Sequence, residues 1–196
     1  MRKSTCMFLL ATFFCLSFTT AGKHPSKKQT QITPVPAVVP SVGTYLFSPN
    51  LTTGAGSTPD HINEVAVQSE QAGMSIAFSR GAGGVVQTGS PNISDFAINK
   101  SFDASTSKIQ KALLSVQKND FEIRYYDGIA ATPVYDIKIK DGIITSYSES
   151  STDCSGGCPL LNENITIAAA TSIQWYYSNN GNPQTITYSF DTGKVS

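Results

Sequence analysis

Apolar and polar positions alternate along most of this chain, and one stretch breaks the rhythm. Phe96, Ile98 and Lys100 alternate with smaller or polar neighbours. Phe121, Ile123 and Tyr125 alternate with Glu122 and Arg124, and Tyr135, Ile137 and Ile139 with Asp136, Lys138 and Lys140. Period two is the mark of half-buried strands. Between the first and second sets, Ile109, Ala112, Leu113 and Val116 fall at i, i+3, i+4 and i+7, one apolar stripe at helical period. Asp103 or Ser105 is placed to cap the start of that helix. Asn119 is the expected left-handed residue beyond its end.

The same reading extends both ways. Thr44 to Phe47 is a short first strand, and Ser48 to Asn63 is a loop rich in Pro, Gly, Asn and Thr. Val65, Val67, Met74, Ile76 and Phe78 restore apolar alternation, and Arg80 to Gly89 is a glycine-rich hairpin loop. That loop lacks the lysine and hydroxyl of a phosphate cradle and opens no helix. Glu149 to Pro159 is a polar loop. Strands follow over Ile165–Ala169, Ile173–Tyr177 and Thr185–Phe190, with a turn at Asn179–Asn182. Eight or nine short strands and one helix predict a mainly β fold: a compact two-sheet β-barrel with one flanking α-helix.

The N-terminus has a different character. Arg2 and Lys3 precede an apolar run from Cys6 to Phe18, then small residues to Gly22. This is the pattern of a secretory signal peptide over residues 1–21, too short to anchor in a membrane. Residues 22–42 form a Pro-rich linker with Pro34, Pro36 and Pro40, a composition that favours an extended chain. Residues 43–196 are left as the barrel domain. The full chain carries 14 basic and 14 acidic residues. Loss of Arg2 and Lys3 with the signal leaves a near-neutral product, which argues against nucleic acid as a partner. No membrane contact is expected after cleavage. The product is expected to be secreted or periplasmic.

Export bears on the cysteines. Cys6 and Cys15 leave with the signal, and Cys154 and Cys158 remain around Ser155-Gly156-Gly157. In an oxidising compartment this spacing predicts a structural disulfide between Cys154 and Cys158 across a surface loop. Closing so small a loop contributes about 2 kcal/mol. A zinc site would need two further ligands, and only His61 remains within the domain, so no metal is expected. His61 follows Pro59-Asp60 and is expected to be a solvated loop histidine. Asp95, Asp103, Glu122 and Asp136 could in principle supply paired carboxylates for sugar chemistry. Asp103 is already explained as a cap, and Glu122 and Asp136 fall on polar strand faces. Trp175 and Tyr177 share a face with Ile173, which predicts core packing rather than a sugar platform. No catalytic residue and no cofactor is expected.

Four segments, in this order and spacing, resemble the haemolysin-coregulated proteins (Hcp) that form the tube of type VI secretion. They are Ile62–Phe78, Ser94–Val116 with Asp103, Ser105 and Thr106, Tyr135–Ser148, and Leu161–Tyr176. The resemblance spans about residues 44–191. It implies a barrel of two sheets with a flanking helix, a hexameric ring built from copies of the chain, and rings that stack and carry effector proteins. The expected function is therefore an exported, non-enzymatic, ring-forming tube subunit or secreted carrier. The alternative is an exported binding module that keeps the fold outside a secretion system. A hydrolase on a β-barrel is the third reading.

Overall fold

Twelve strands and one α-helix are present among the residues that the computed structural model describes, 41–154, 158–179 and 182–196. The expected signal peptide, residues 1–21, and nearly all of the expected linker, residues 22–42, lie outside them. The described residues fall in one unit that spans 36–196. The strands are β1 (Gly43–Phe47), β2 (Glu64–Val67), β3 (Ser69–Gln71), β4 (Met74–Arg80), β5 (Val86–Ile93) and β6 (Phe96–Ser101). After α1 (Thr106–Leu114) come β7 (Lys118–Tyr126), β8 (Tyr135–Cys154), β9 (Cys158–Ala168), β10 (Ser172–Asn179), β11 (Asn182–Ser189) and β12 (Lys194–Val195).

β8 holds the architecture together. Its first half pairs with β10 on one side and β7 on the other, within the order β12-β11-β10-β8-β7-β1-β2. Its second half pairs with β9, which continues through β6 to β3. One strand thus passes from one layer of the curled sheet into the other. The bend falls at Asp141, at φ 53°, and at a register shift between Ile144 and Ser146. Asp120 pins it: its carboxylate accepts the Asp141 N–H at 3.1 Å and the Lys140 ammonium at 2.7 Å. Gly142 at this bend leaves room for the Phe121 ring, which a Cβ there would meet at 2.7 Å.

Strand alternation predicts the core well. Phe96, Ile98, Phe121, Ile123, Ile137, Ile139, Ile165, Ile167 and Ile173 are buried in one cluster with Leu46, Val65 and Ile109. The burial of these apolar faces is the main term that favours the fold. Two boundaries differ from the sequence reading. The polar loop expected at Glu149–Pro159 is instead the end of β8 and the start of β9, paired from Glu149↔Glu163 to Cys154↔Cys158. The glycine loop shrinks to the turn between β4 and β5, because Val86–Thr88 pairs back onto β4. Asn179 and Asn182, the ends of β10 and β11, are paired where a turn is expected, and the two residues between them lie outside the described residues.

The helix confirms half of its stripe. Ile109 and Ala112 are buried and Leu113 is partly buried against the core, but Val116 is exposed. The helix ends at Leu114, and Val116 takes the left-handed conformation at φ 49° that was expected of Asn119. The Gln117 N–H donates to the Ala112 carbonyl and the Val116 N–H to the Leu113 carbonyl, a complete Schellman closure. Asn119 is buried within β7 instead. At the other end, Asp103 rather than Ser105 does the capping. Its carboxylate accepts the Ser105 N–H at 2.7 Å, and its own N–H donates to the Thr106 hydroxyl at 3.1 Å.

A β-branched residue at positive φ is strained. Val116→Gly is therefore expected to raise stability by about 1 kcal/mol, after the entropic cost of glycine is subtracted. Urea midpoints of the two proteins measure it. A lower midpoint for the glycine variant would mean that the valine side chain contributes more than its backbone costs.

Candidate assembly surface

The β4–β5 hairpin carries side chains that the core does not use. Met74, Ile76 and Phe78 on β4, with Val85 and Val86 after the turn, are at least half exposed. β4 and β5 pair only with each other, outside the large sheet. Contiguous exposed apolar side chains on such an arm make it a candidate interaction surface. Alternation placed Met74, Ile76 and Phe78 in a strand, and they are in one, but their side chains face solvent rather than the core.

Where the arm meets the large sheet, two adjoining clefts open. One, of about 390 Å³, is lined by Glu70, Gly73, Ile93, Phe96, Tyr125 and Tyr135, among others. The next, of about 370 Å³, lies between Met74, Pro91 and Ile93 on the arm and Trp175, Tyr177 and Ile186 on the sheet. The reading of Trp175 and Tyr177 as core residues therefore needs correction. Trp175 is partly buried against the core, but Tyr177 is 46% exposed and both line the cleft.

Polar candidates from the sequence fall into separate places. Cys154 and Cys158 stand opposite each other in the β8–β9 ladder, although their side chains lie outside the described residues. Asp95 accepts a hydrogen bond from the Thr145 hydroxyl at 3.2 Å. His61 is not the solvated loop residue expected. It is 1% exposed and stacks on Tyr45 at 3.7 Å between ring centroids. Its Nδ1 lies 2.6 Å from a Glu64 carboxylate oxygen. Glu64 also accepts from the Tyr126 hydroxyl at 3.0 Å and pairs with Arg124. Sequence reasoning missed this cluster because its members come from three separated segments. Among the described residues, no group of three or more His, Cys, Asp or Glu is placed to hold a metal ion.

Glu122 and Asp136 do come together. They share the outer face of β7 and β8 in a shallow hollow with Arg124 and Tyr176. Asp136 is buried, and burial first, then the charge of Glu122, pushes its carboxyl up to about 6. Glu122 itself is tied to Arg124. A carboxyl raised in the fold above its ordinary value near 3.8 opposes folding once it ionises. Its penalty is absent below about pH 4, grows between pH 4 and 6, and is complete above pH 6. Asp136→Asn is therefore expected to stabilise the protein by up to about 2 kcal/mol at pH 7.5 and by almost nothing at pH 4. Denaturant unfolding of both proteins at the two pH values measures this. Equal gains at both would assign the effect to packing instead.

A family model described as "Type VI secretion system effector, Hcp" matches residues 45–177. This chain belongs to the Hcp family. No curated protein sequence matches it. Among solved structures, Hcp1 from Salmonella typhimurium is similar at a TM-score of 0.64 and 14% identity, over 80% of this chain and 100% of the other. A type six secretion system protein is similar at 0.66 and 19% identity, over 80% and 100%. The secreted protein Hcp3 from Pseudomonas aeruginosa follows at 0.52 and 18%, over 74% and 97%. At these identities the structures establish a shared fold. The family match includes the whole β4–β5 arm, so the apolar arm is part of an Hcp fold in this chain.

Proposed function

We propose that this chain is an exported, non-enzymatic Hcp subunit that assembles with copies of itself into a ring, a hexamer first. The exposed apolar arm Met74–Ile93 carries this reading. An arm with Ile76 and Phe78 in water gains free energy when a neighbouring copy covers it, at about 25 cal/mol for each Å² of apolar area removed from water. The near-neutral charge of the chain opposes such association little. A closed ring also satisfies heterologous contacts without open-ended growth. Effector proteins are the partners such a ring would carry.

The leader 1–21 and the cysteines fit export. Directly opposed residues in an antiparallel ladder have Cα atoms about 4.5–5.5 Å apart, within the span of a disulfide. Cys154 and Cys158 occupy such a pair, which supports the proposed bond at the tip of the β8–β9 hairpin.

Light scattering coupled to size exclusion, over a wide concentration range, tests the assembly. The exported protein is expected to elute as a homo-oligomer, and Phe78→Asp to shift it toward monomer without loss of β-structure. A wild-type monomer that persists at the highest soluble concentration overturns the ring. The exported binding module would then be the better reading, and the aromatic cleft beside the arm favours it.

A further inference from the structure

In the two clefts beside the arm, one acid faces a row of aromatic rings. Tyr177, Tyr135 and Tyr125 are directly opposed across β10, β8 and β7, so their side chains share one face of the sheet. Trp175 lies two residues before Tyr177 on the same strand and therefore on that face as well. Tyr125 packs against Tyr135 at 5.1 Å between ring centroids, and Tyr135 meets Tyr177 edge to face at 6.4 Å. Tyr135 and Trp175 line both clefts, Tyr125 the first and Tyr177 the second. Glu70 on β3 lines the first cleft, and among the described residues it is the only charged side chain that lines either. Its carboxylate accepts from the Tyr125 hydroxyl at 2.8 Å. Among the described residues, no lysine, arginine or histidine pairs with it.

These groups favour one kind of occupant. The face of an aromatic ring is electrically negative and attracts a cation, most strongly where water is excluded. Glu70 adds a full negative charge at the same wall. Burial first, then Glu70, pushes the Tyr125 and Tyr135 phenols above their ordinary value, so both rings stay neutral. Hydrogen bonding decides the kind of cation. A primary ammonium brings three donors that lose water on entry. The one carboxylate in the first cleft already accepts from Tyr125. A trimethylammonium group brings no donor and presents methyl groups to the rings. Met74, Pro91, Ile93 and Ile186 make the second cleft apolar, so a short alkyl chain on the ammonium continues into it. Two adjoining clefts of about 390 and 370 Å³ give the room that a small molecule needs. Without a basic residue in the lining, a phosphate beside the ammonium would be unpaired, which argues against a choline lipid as the source.

We infer that this cleft binds a small, free quaternary ammonium cation, its head held by Glu70, Tyr125, Tyr135 and Trp175 and its alkyl chain lying between the arm and the sheet. This goes beyond the ring reading and does not depend on it.

Trp175 is the only tryptophan, so its fluorescence reports on the cleft directly. The test is titration of the exported chain, followed by that fluorescence and by calorimetry. Choline is compared with its uncharged carbon analogue, which has a tert-butyl group in place of trimethylammonium. Choline is expected to bind at least about tenfold tighter than the analogue, which has the same shape and no charge. Butyltrimethylammonium is expected to bind at least about tenfold tighter than tetramethylammonium, through its added methylenes. Phosphocholine is expected to bind more weakly than choline. Glu70→Gln keeps an acceptor for the Tyr125 hydroxyl and removes the charge. It is expected to weaken both alkylammonium ions about tenfold, leave the uncharged analogue unaffected and preserve the far-ultraviolet circular dichroism. Equal affinities of choline and the analogue for the parent protein overturn the proposal, and that comparison needs no variant. Absence of choline binding up to about 10 mM also overturns it. So does cation binding that Glu70→Gln leaves intact, or phosphocholine that binds tighter than choline.

Discussion

Lys100→Met is expected to cost about 3–5 kcal/mol, and adding Glu163→Leu should recover most of that loss. Lys100 and Glu163 are directly opposed on β6 and β9, and both are fully buried. Their ion pair is completed by the Asp103 carboxylate at 2.7 Å from the ammonium and by the Ser101 carbonyl at 3.1 Å. The Glu163 carboxylate also accepts from the Tyr147 hydroxyl at 3.0 Å. Gln110 on the helix donates to that hydroxyl at 3.1 Å and to Glu149 at 2.8 Å. Methionine fills the volume of the lysine but leaves Glu163 charged, buried and short of donors, which is costlier than having no charge there. Removing both charges leaves two apolar side chains facing each other across a strand pair. Urea unfolding of the two variants and the parent measures all three energies. A single variant within about 1 kcal/mol of the parent would mean that water already reaches the pair.

That ion pair marks the limit of what the sequence discloses. The alternation of Phe96, Ile98 and Lys100 placed all three on one face, and they are on one face. Alternation cannot say that a lysine ends up fully buried, because its partner Glu163 lies on a strand more than sixty residues away. Local signals behaved in the same divided way. The helix, the capping aspartate and the period-two strands depend on neighbours within a few residues, and they were legible. Val116 was not, since a helix that ends one turn early with a valine at positive φ runs against the propensities used to read it. His61 was misread because what buries it, Tyr45 and Tyr126, comes from β1 and β7. The arm was the subtlest case. Met74, Ile76 and Phe78 carry the pattern of a buried strand, and the fold leaves them in solvent, so the pattern records a surface that the chain does not cover within the described residues.

Gly56→Ala is expected to destabilise by at least about 3 kcal/mol, whereas Gly54→Ala two residues earlier should cost about 1–2 kcal/mol. A Cβ on Gly56 would collide with the His61 carbonyl oxygen and lie 2.6 Å from that carbonyl carbon and 2.7 Å from the Glu64 oxygen. All three are backbone atoms, which cannot rotate away as a side chain can. The segment cannot easily open to relieve the clash, because it is tied across its neck. The Gly56 N–H donates to the Ile62 carbonyl at 3.0 Å, and the Thr52 hydroxyl donates to the Asn63 carbonyl at 2.7 Å. Leu51 and Ala55 from the same loop are buried in the core. Moving the loop outward would draw them out and unstack His61 from Tyr45, with Glu64 and Arg124 beside it. Gly54 differs in kind. It sits at φ 74°, and a Cβ there would find nothing within 4 Å, so alanine meets only the left-handed backbone penalty. The comparison separates a steric collision from a conformational preference at two glycines in one loop. Equal midpoint shifts for the two variants would show that the loop can swing clear of His61 at little cost, and that the buried histidine does not brace the first turn of the barrel.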